Sequence, residues 1–259
     1  MLRAFNDLRG LSLGALDGEI GSVKDAYFDD AAWTLRYFVV TTGSWLSGRD
    51  VLIAPPSVRG VSWDEKRLEL NLTREQIQKA PSPETDRPVS RQWEATYFDY
   101  YGYPYYWAST QAWDPIGFPG VAAPPPGLGA STQQPPADPS EQRGDPHLRS
   151  AREVSGYSIE SADGAIGEVD DFLFDDASWA LRFFVIDTRK WLPGRQVLLS
   201  TEWIEEVNWE RRFVRVAMTR EEVRTSPDYE ARQFSEQHEE SLYRHYGRSP
   251  RTATRVQIR

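Results

Sequence analysis

The chain has 259 residues, of which 39% are hydrophobic, with a formal net charge of −9 and a pI near 5.0. An acidic chain of this kind lacks the overall basic charge with which a general nucleic-acid binder neutralises phosphates. It contains no cysteine, which excludes disulfides, zinc–thiolate sites and thiol nucleophiles.

The sequence shows no targeting or membrane-spanning segment. The N-terminus lacks a basic stretch followed by an apolar run, so no signal peptide is predicted. No apolar run reaches the roughly 18 residues that a spanning helix needs. We therefore expect a cytoplasmic protein without a membrane span.

An internal repeat decides the predicted architecture. Residues 17–81 align with residues 163–227 at a constant offset of 146 positions without a gap, and 28 of these 65 positions are identical. The repeated motifs include Asp17-Gly18-Glu19-Ile20-Gly21 with Asp163-Gly164-Ala165-Ile166-Gly167, and Trp45-Leu46-Ser47-Gly48-Arg49 with Trp191-Leu192-Pro193-Gly194-Arg195. One repeat at so long a period indicates a duplicated domain rather than a solenoid.

Each copy is predicted to be mostly β-strand. In the first copy, β-rich runs bounded by turn residues cover 23–28, 35–41, 49–54 and 67–72. Gly18 fits a tight hairpin turn, and Gly21 and Gly167 fit bulges that let a short sheet curl. Several short strands at close spacing predict a small β-barrel in each copy.

Helices are predicted after the strands of each copy. Thr73 to Gln76 and Thr219 to Glu222 both fit a capping box, and a longer helix follows, ending near Gly102 and near Gly247. Residues 115–139 hold 8 of the 18 prolines, which is a linker composition. The predicted domains are therefore a first copy at 1–110, a linker at 111–146 and a second copy at 147–259.

The repeated motifs closely resemble the PRC-barrel family. The resemblance is carried in both copies by Asp-Gly-x-Ile-Gly-x-Val-x-Asp, by Asp-Asp-x-x-Trp and by Trp-Leu-x-Gly-Arg-x-Val-Leu. The family includes the cytoplasmic domain of the photosynthetic reaction-centre H subunit and the C-terminal domain of a ribosome-maturation factor. The chain is most similar to bacterial proteins consisting of two PRC-barrels in tandem. The resemblance implies a small barrel that serves as a docking surface, with no shared catalytic residues.

No metal or catalytic site is predicted, and no cofactor is expected. Asp25, Asp29 and Asp30 recur in the second copy, but their spacing differs from that of a calcium loop, and turn formation explains them. The first copy has no histidine; the chain's three are His147, His238 and His245. Since the histidines are not common to the two copies and the repeated aspartates are explained as turn formers, we expect no enzyme.

Two groups of residues are the candidate partner-binding positions. The first is the pair of Trp-Leu-x-Gly-Arg loops, with Trp45, Arg49, Trp191 and Arg195, because Trp and Arg are enriched at interface hot spots. The second is the segment 97–107, which has eight aromatics in eleven residues and offers Tyr103, Tyr105 and Trp107. The alternatives are structural: the loops close the barrel, and the aromatics pack onto it.

The copies are predicted to pack as an internal pseudo-dimer. Residues 35–40 and 181–186 are apolar on both faces apart from Arg36 and Arg182, whereas a strand with one face in water alternates. The second face therefore requires a cover, either the sister copy or the trailing helix. A homo-oligomer is left open.

The sequence favours a non-enzymatic protein-binding or scaffolding module with a partner that it does not identify. The alternatives are an RNA- or ribosome-associated assembly factor, or a small-molecule or sugar-binding module that uses the aromatic segment. Any nucleic-acid binding is expected in the tail, which carries Arg248, Arg251, Arg255 and Arg259 without an acidic residue.

Overall fold

A computed structural model describes residues 1–81, 91–104, 147–188, 195–230 and 235–249. The chain forms two compact units. Unit 1 consists of Met1–Glu153 and Phe174–Leu181, and unit 2 of Val154–Leu173 and Arg182–Arg259. The units therefore do not follow the repeat boundary predicted at residue 147, because two short pieces of the second copy belong to unit 1.

The elements repeat in the same order along the chain. The first copy contains β1 (Leu2–Ala4), α1 (Phe5–Leu8), β2 (Ser12–Ala15), β3 (Gly18–Asp29), β4 (Thr34–Thr42), β5 (Asp50–Ile53), β6 (Val58–Ser62), β7 (Arg67–Leu70), α2 (Arg74–Lys79) and α3 (Arg91–Tyr101). The second contains β8 (Leu148–Ser150), α4 (Ala151–Val154), β9 (Ser158–Ser161), β10 (Gly164–Asp175), β11 (Leu181–Asp187), β12 (Gln196–Ser200), β13 (Ile204–Asn208), β14 (Phe213–Val216), α5 (Arg220–Arg224) and α6 (Glu236–His245).

The strands form two seven-stranded sheets of the same topology. One has the order β5-β4-β3-β2-β7-β6 with β8 added to β3, and the other the order β12-β11-β10-β9-β14-β13 with β1 added to β10. The pairs β2–β7 and β9–β14 are parallel. The predicted mainly-β class with two β-rich copies is confirmed.

The described residues show no ladder that closes either sheet into a barrel. The order runs from β5 to β6 as an open path, and a short 3-10 helix, Pro55–Ser57, separates these two end strands. Thr201–Trp203 takes the same place in the second copy. A 3-10 turn interrupts strand pairing, because its backbone follows different dihedral angles from a strand.

The glycine bulges were predicted correctly. The β2–β3 register shifts between Leu13, opposite Gly21, and Gly14, opposite Glu19, and the β9–β10 register shifts at Gly167. A Cβ on Gly21 would lie 2.0 Å from the carbonyl oxygen of Thr41, so only glycine fits. The bulge and the close approach bend the sheet at the same position in both copies.

The trailing helices cover the second face of the central strands, which was one of the two predicted covers. Tyr37 on β4 packs edge-on against Tyr97 of α3 at 5.6 Å between ring centroids. In unit 2, Phe183 on β11 packs against Tyr243 of α6 at 6.2 Å. Tyr97 and Tyr243 are themselves 146 positions apart, so the repeat extends into these helices.

Arg36, the predicted exception to this apolar strand, is also buried. Its side chain is 2% exposed and pairs with Asp29 at 3.1 Å. Its counterpart Arg182 pairs instead with Glu239 on α6 at 3.0 Å. A buried guanidinium needs a carboxylate, since an unpaired buried charge is strongly destabilising.

Candidate functional site

Three elements meet at one end of the unit 1 sheet. The carboxylate of Asp17, in the β2–β3 hairpin turn, accepts a hydrogen bond of 2.8 Å from the main-chain N–H of Arg74, at the start of α2. The Arg74 guanidinium lies 4.6 Å from the ring centroid of Trp45, which follows β4. The Trp45 Nε1 donates to the carbonyl oxygen of Ile20 at 2.6 Å. These bonds fix the hairpin, the tryptophan turn and the helix start to one another.

An exposed leucine belongs to the same hairpin turn. Leu16 is 57% exposed, and Met1 is the other large hydrophobic residue exposed in the described parts of the chain. The Leu16 N–H donates to the carbonyl oxygen of Leu72 at 2.9 Å, which holds the turn in place. We call Leu16, Trp45 and Arg74 the Trp45 patch. The patch combines an apolar, an aromatic and a guanidinium side chain on elements that hydrogen bonds join to one another.

The motif arginines bind the main chain of their own copy. Arg49 donates to the carbonyl oxygen of Gln78 at 3.1 Å, and Arg195 donates to the carbonyl oxygen of Arg224, its equivalent 146 positions later. Arg195 also donates to the carbonyl oxygen of Ser226 at 2.6 Å and pairs with Asp228. Each arginine thus ties its loop to the end of the capped helix. Both arginines therefore have a structural contact within their own copy.

Tyr103 lies in the interior of unit 1, although it was predicted as a partner-binding residue. It is 9% exposed, its hydroxyl lies 2.7 Å from the Ser57 hydroxyl, and its ring stacks on Tyr101. Its ring therefore contributes to the core rather than to a surface, because it completes the aromatic layer formed by α3. The predicted contacts Tyr105, Trp107 and Trp191 lie outside the described residues, as does the linker predicted at 111–146.

The buried tyrosines are held neutral. Burial raises the pKa of Tyr97 well above its ordinary value, and it raises the pKa of Tyr103 to about 12 against the opposing effect of the Ser57 hydrogen bond. Tyr97 also donates to the carbonyl oxygen of Leu52 and accepts from the N–H of Ala54, both at 3.1 Å. The Tyr97 hydroxyl thus joins α3 to the end of β5, and the Tyr103 hydroxyl contacts Ser57 in the 3-10 helix that follows.

The repeated aspartates have turn and pairing roles. Asp29 accepts from the N–H groups of Ala31 and Ala32 at 2.9 and 2.8 Å, as predicted for a turn former. Asp30 binds His147 at 2.8 Å and Arg149 at 2.9 Å. Within the described residues, no group of three or more His, Asp or Glu side chains is arranged to hold a metal ion.

The sequence analysis did not predict the short strands β1 and β8, nor the ion pairs of their arginines, Arg3 with Asp176 and Arg149 with Asp30. The signal was present, since Leu2-Arg3 recurs as Leu148-Arg149 at the same offset of 146. Three residues are too short for a periodicity to be recognised. Their partners lie far along the chain, and only the tertiary structure shows them.

The fold and the patch define a class of protein: a duplicated, β-rich module in which one end of the first sheet carries the Leu16, Trp45 and Arg74 side chains. Residues 2–77 match the PRC-barrel domain family, and the chain thus contains a PRC-barrel domain at its first copy. The assignment of the second copy rests on the repeat and on its identical sheet topology. A search of the curated proteins found no match for the chain. Across the described parts, none of the helices is both long and apolar enough to cross a membrane.

Proposed function

We propose that the chain is a non-enzymatic, cytoplasmic protein-binding module whose first PRC-barrel copy recognises a partner protein through the Trp45 patch. The PRC-barrel family is generally non-catalytic, which supports the non-enzymatic part of this proposal. The exposure of Leu16, on the hairpin turn that is hydrogen-bonded to Leu72, is the observation that carries the binding part. Because the Leu16 backbone is already hydrogen-bonded to Leu72, a partner that covers the side chain has less backbone freedom to remove.

The residue types in the Trp45 patch are those that commonly bind a protein partner. Trp and Arg are the residue types most enriched among binding hot spots, and here the guanidinium lies over the indole ring. The contact with the Trp45 ring therefore holds the positively charged guanidinium of Arg74 in a defined position. A partner that offers an apolar pocket next to a carboxylate would complement this arrangement.

The second copy provides a natural comparison. Asp163 accepts from the N–H of Arg220 at 2.7 Å, so the same hairpin–helix bond is present. Position 162, equivalent to Leu16, is an exposed alanine. The second copy keeps the turn but lacks the exposed leucine, and we expect it to bind the partner more weakly.

Site-specific photo-crosslinking tests this proposal. Benzoylphenylalanine at position 16 of the full chain should give one dominant crosslinked protein, whereas the same residue at position 162 should not. With that protein purified, Leu16→Asp should weaken binding at least tenfold, and the matched Ala162→Asp should leave it unchanged. Identical crosslinks at both positions, or unchanged affinity of Leu16→Asp, would refute the proposal.

The two runner-up functions have distinct signatures. An RNA-associated role would require salt-dependent retention on RNA that is lost when residues after Gly247 are deleted; in the described part of that tail, the Arg248 guanidinium lies 5.8 Å from the Trp203 ring. A sugar-binding role would require quenching of aromatic fluorescence by a ligand. The burial of Tyr97, Tyr101 and Tyr103 makes these three rings inaccessible to such a ligand.

A further inference from the structure

Unit 1 is completed by a segment from the second copy of the repeat. Residues 174–181 belong to this unit, and the Trp179 ring lies 5.1 Å from Phe38 and stacks on Phe174 at 5.6 Å. Phe38 is fully buried and Trp179 is 8% exposed. The segment therefore covers one face of β4.

The hydrogen bonds of this segment are reciprocal. The Leu35 N–H donates to the carbonyl oxygen of Trp179 at 2.9 Å, and the Leu181 N–H donates to the carbonyl oxygen of Trp33 at 2.7 Å. At the repeat offset of 146, Trp179 is equivalent to Trp33 and Leu181 is equivalent to Leu35. Each copy therefore donates the same hydrogen bond to the other copy and accepts it from the other copy. This is the pattern of a two-fold contact between identical subunits.

The residue between these bonds pairs with its own equivalent. Thr34 and Ala180 form an isolated antiparallel bridge, and 180 minus 146 is 34. The local two-fold axis therefore passes between these two residues. Since the flanking N–H groups at 35 and 181 make the bonds, Thr34 and Ala180 are a non-hydrogen-bonded pair, in which the Cα atoms lie about 4.5 Å apart.

The short strand β8 is held in a second reciprocal contact. It runs antiparallel to the end of β3, with Asp29 opposite Leu148, and the Asp30 N–H donates to the carbonyl oxygen of His147 at 2.8 Å. The Asp176 N–H donates to the carbonyl oxygen of Met1 at 2.9 Å. Residues 30 and 147 are related to residues 176 and 1 by the same offset.

The backbone at the centre of the contact is held in a disfavoured conformation in both copies. Trp33 and Trp179 have φ angles of 50° and 60°, in the left-handed region that bulky residues avoid. Each of these residues supplies the carbonyl that accepts the reciprocal bond. Both sides of the contact therefore carry the same turn conformation.

We infer that this surface is a self-recognition site whose partner is a second copy of this chain: residues 147–153 and 174–181 of one molecule can complete unit 1 of another, giving a segment-exchanged dimer. Nothing in the reciprocal contacts distinguishes a segment of the same chain from that of a second molecule. The intramolecular form is favoured because both copies belong to one chain, which raises the effective concentration of each copy for the other. Exchange should therefore appear when the chain refolds at high protein concentration.

Single cysteines on the two-fold axis test the inference, because the chain has no cysteine of its own. A chain with both Thr34→Cys and Ala180→Cys should form an intrachain disulfide, since the pair separation suits a disulfide. When chains carrying only Thr34→Cys are co-refolded at high concentration with chains carrying only Ala180→Cys, a covalent dimer should form. Its yield should be several times that of either variant refolded alone.

Each outcome is decisive. If the double variant forms no intrachain disulfide, the contact itself is wrong. If the double variant crosslinks but the mixture gives no more covalent dimer than the single variants, the disulfides are collisional and the exchange is refuted. Light scattering of the unmodified chain, refolded at the same concentration, should show the dimer without cysteines.

Discussion

Gly21 and Gly167 lie where two backbone segments come closest. A Cβ would lie 2.0 Å from the Thr41 carbonyl oxygen at the first position and 2.1 Å from the Asp187 carbonyl oxygen at the second. Gly21→Ala or Gly167→Ala should destabilise the protein by about 3 kcal/mol or more, because the ladder must open to admit the methyl group. Urea denaturation measures this loss.

Gly60 supplies the matched control for this substitution. It lies in β6, and a Cβ at this position would have no atom within 4 Å. Gly60→Ala should leave the unfolding free energy within about 0.5 kcal/mol of the parent value. A similar loss for Gly60→Ala and Gly21→Ala would contradict the steric explanation.

Tyr103 should make the protein sensitive to alkali. Its pKa is about 12 in the folded chain, because burial favours the neutral phenol, and about 10 in an unfolded chain. Between these values the unfolded state has lost the proton that the folded state keeps, so stability falls as the pH rises from 10 to 12. Two pKa units correspond to about 2.7 kcal/mol.

The Tyr103→Phe variant isolates this contribution. At pH 7 it should be less stable than the parent by about 1 kcal/mol, through loss of the Ser57 hydrogen bond. Between pH 10 and pH 12 it should lose about 2–3 kcal/mol less than the parent does. Parallel curves of unfolding free energy against pH would show that Tyr103 does not titrate in this range.

At the scale of elements, the two capping boxes differ only in the side chain at the third helical position, which is an amide in Gln76 and a carboxylate in Glu222. Thr73 accepts from the Gln76 N–H at 3.2 Å while the Gln76 amide oxygen accepts from the Thr73 N–H at 2.8 Å, and Thr219 and Glu222 repeat this arrangement with a carboxylate. Thr73→Ala and Thr219→Ala should each cost about 1 kcal/mol. Thermal or urea unfolding measures the cost.

Only the stabilisation contributed by the second capping box, Thr219 with Glu222, should decrease in acid. The hydrogen bonds from Thr219 lower the pKa of Glu222, so its contribution is present above the ordinary glutamate pKa and is lost as the pH falls through the lowered value. Glu222→Gln should remove this acid-sensitive part, whereas Gln76→Glu should introduce one in the first copy. Identical acid profiles for the parent and Glu222→Gln would argue against a carboxylate cap.

At the scale of the whole molecule, the sequence repeat and the compact units have different boundaries. A fragment of residues 1–110 lacks β8 and the segment 174–181, both of which belong to unit 1. The end of β3 would lose its β8 partner, and Phe38 would lose Trp179. We expect this fragment to aggregate or self-associate, because unpaired strand edges and exposed aromatic surface promote association.

Sedimentation of the separate fragments tests this expectation. Residues 1–110 and 145–259 should associate when mixed, and the mixture should recover the unfolding transition of the full chain. Two stable monomeric fragments that do not associate when mixed would contradict this expectation. The reciprocal contacts around Thr34 and Ala180 lie within unit 1, whereas the packing of the two whole copies as an internal pseudo-dimer stays a prediction until this measurement is made.

The sequence by itself determined the features whose causes are local. The duplication, the main strands, the bulges at Gly21 and Gly167 and both capping boxes follow from turn chemistry, side-chain alternation and a constant offset. The turn and alternation signals lie within a few residues of the structure that they specify, and the duplication follows from aligning the chain with itself. They were sufficient for the fold class and for the resemblance to the PRC-barrel family.

Only the tertiary structure decided which segment covers which surface. The absence of alternation in β4 showed that both faces need a cover, but not that α3 would cover Tyr37 and Trp179 would cover Phe38. It also left Arg36 as an exception, whereas a carboxylate seven residues away on the neighbouring strand allows its burial. The physical reason is that the pattern of one strand reports where water is excluded, while the partner that excludes it is set by packing between residues far apart in the chain.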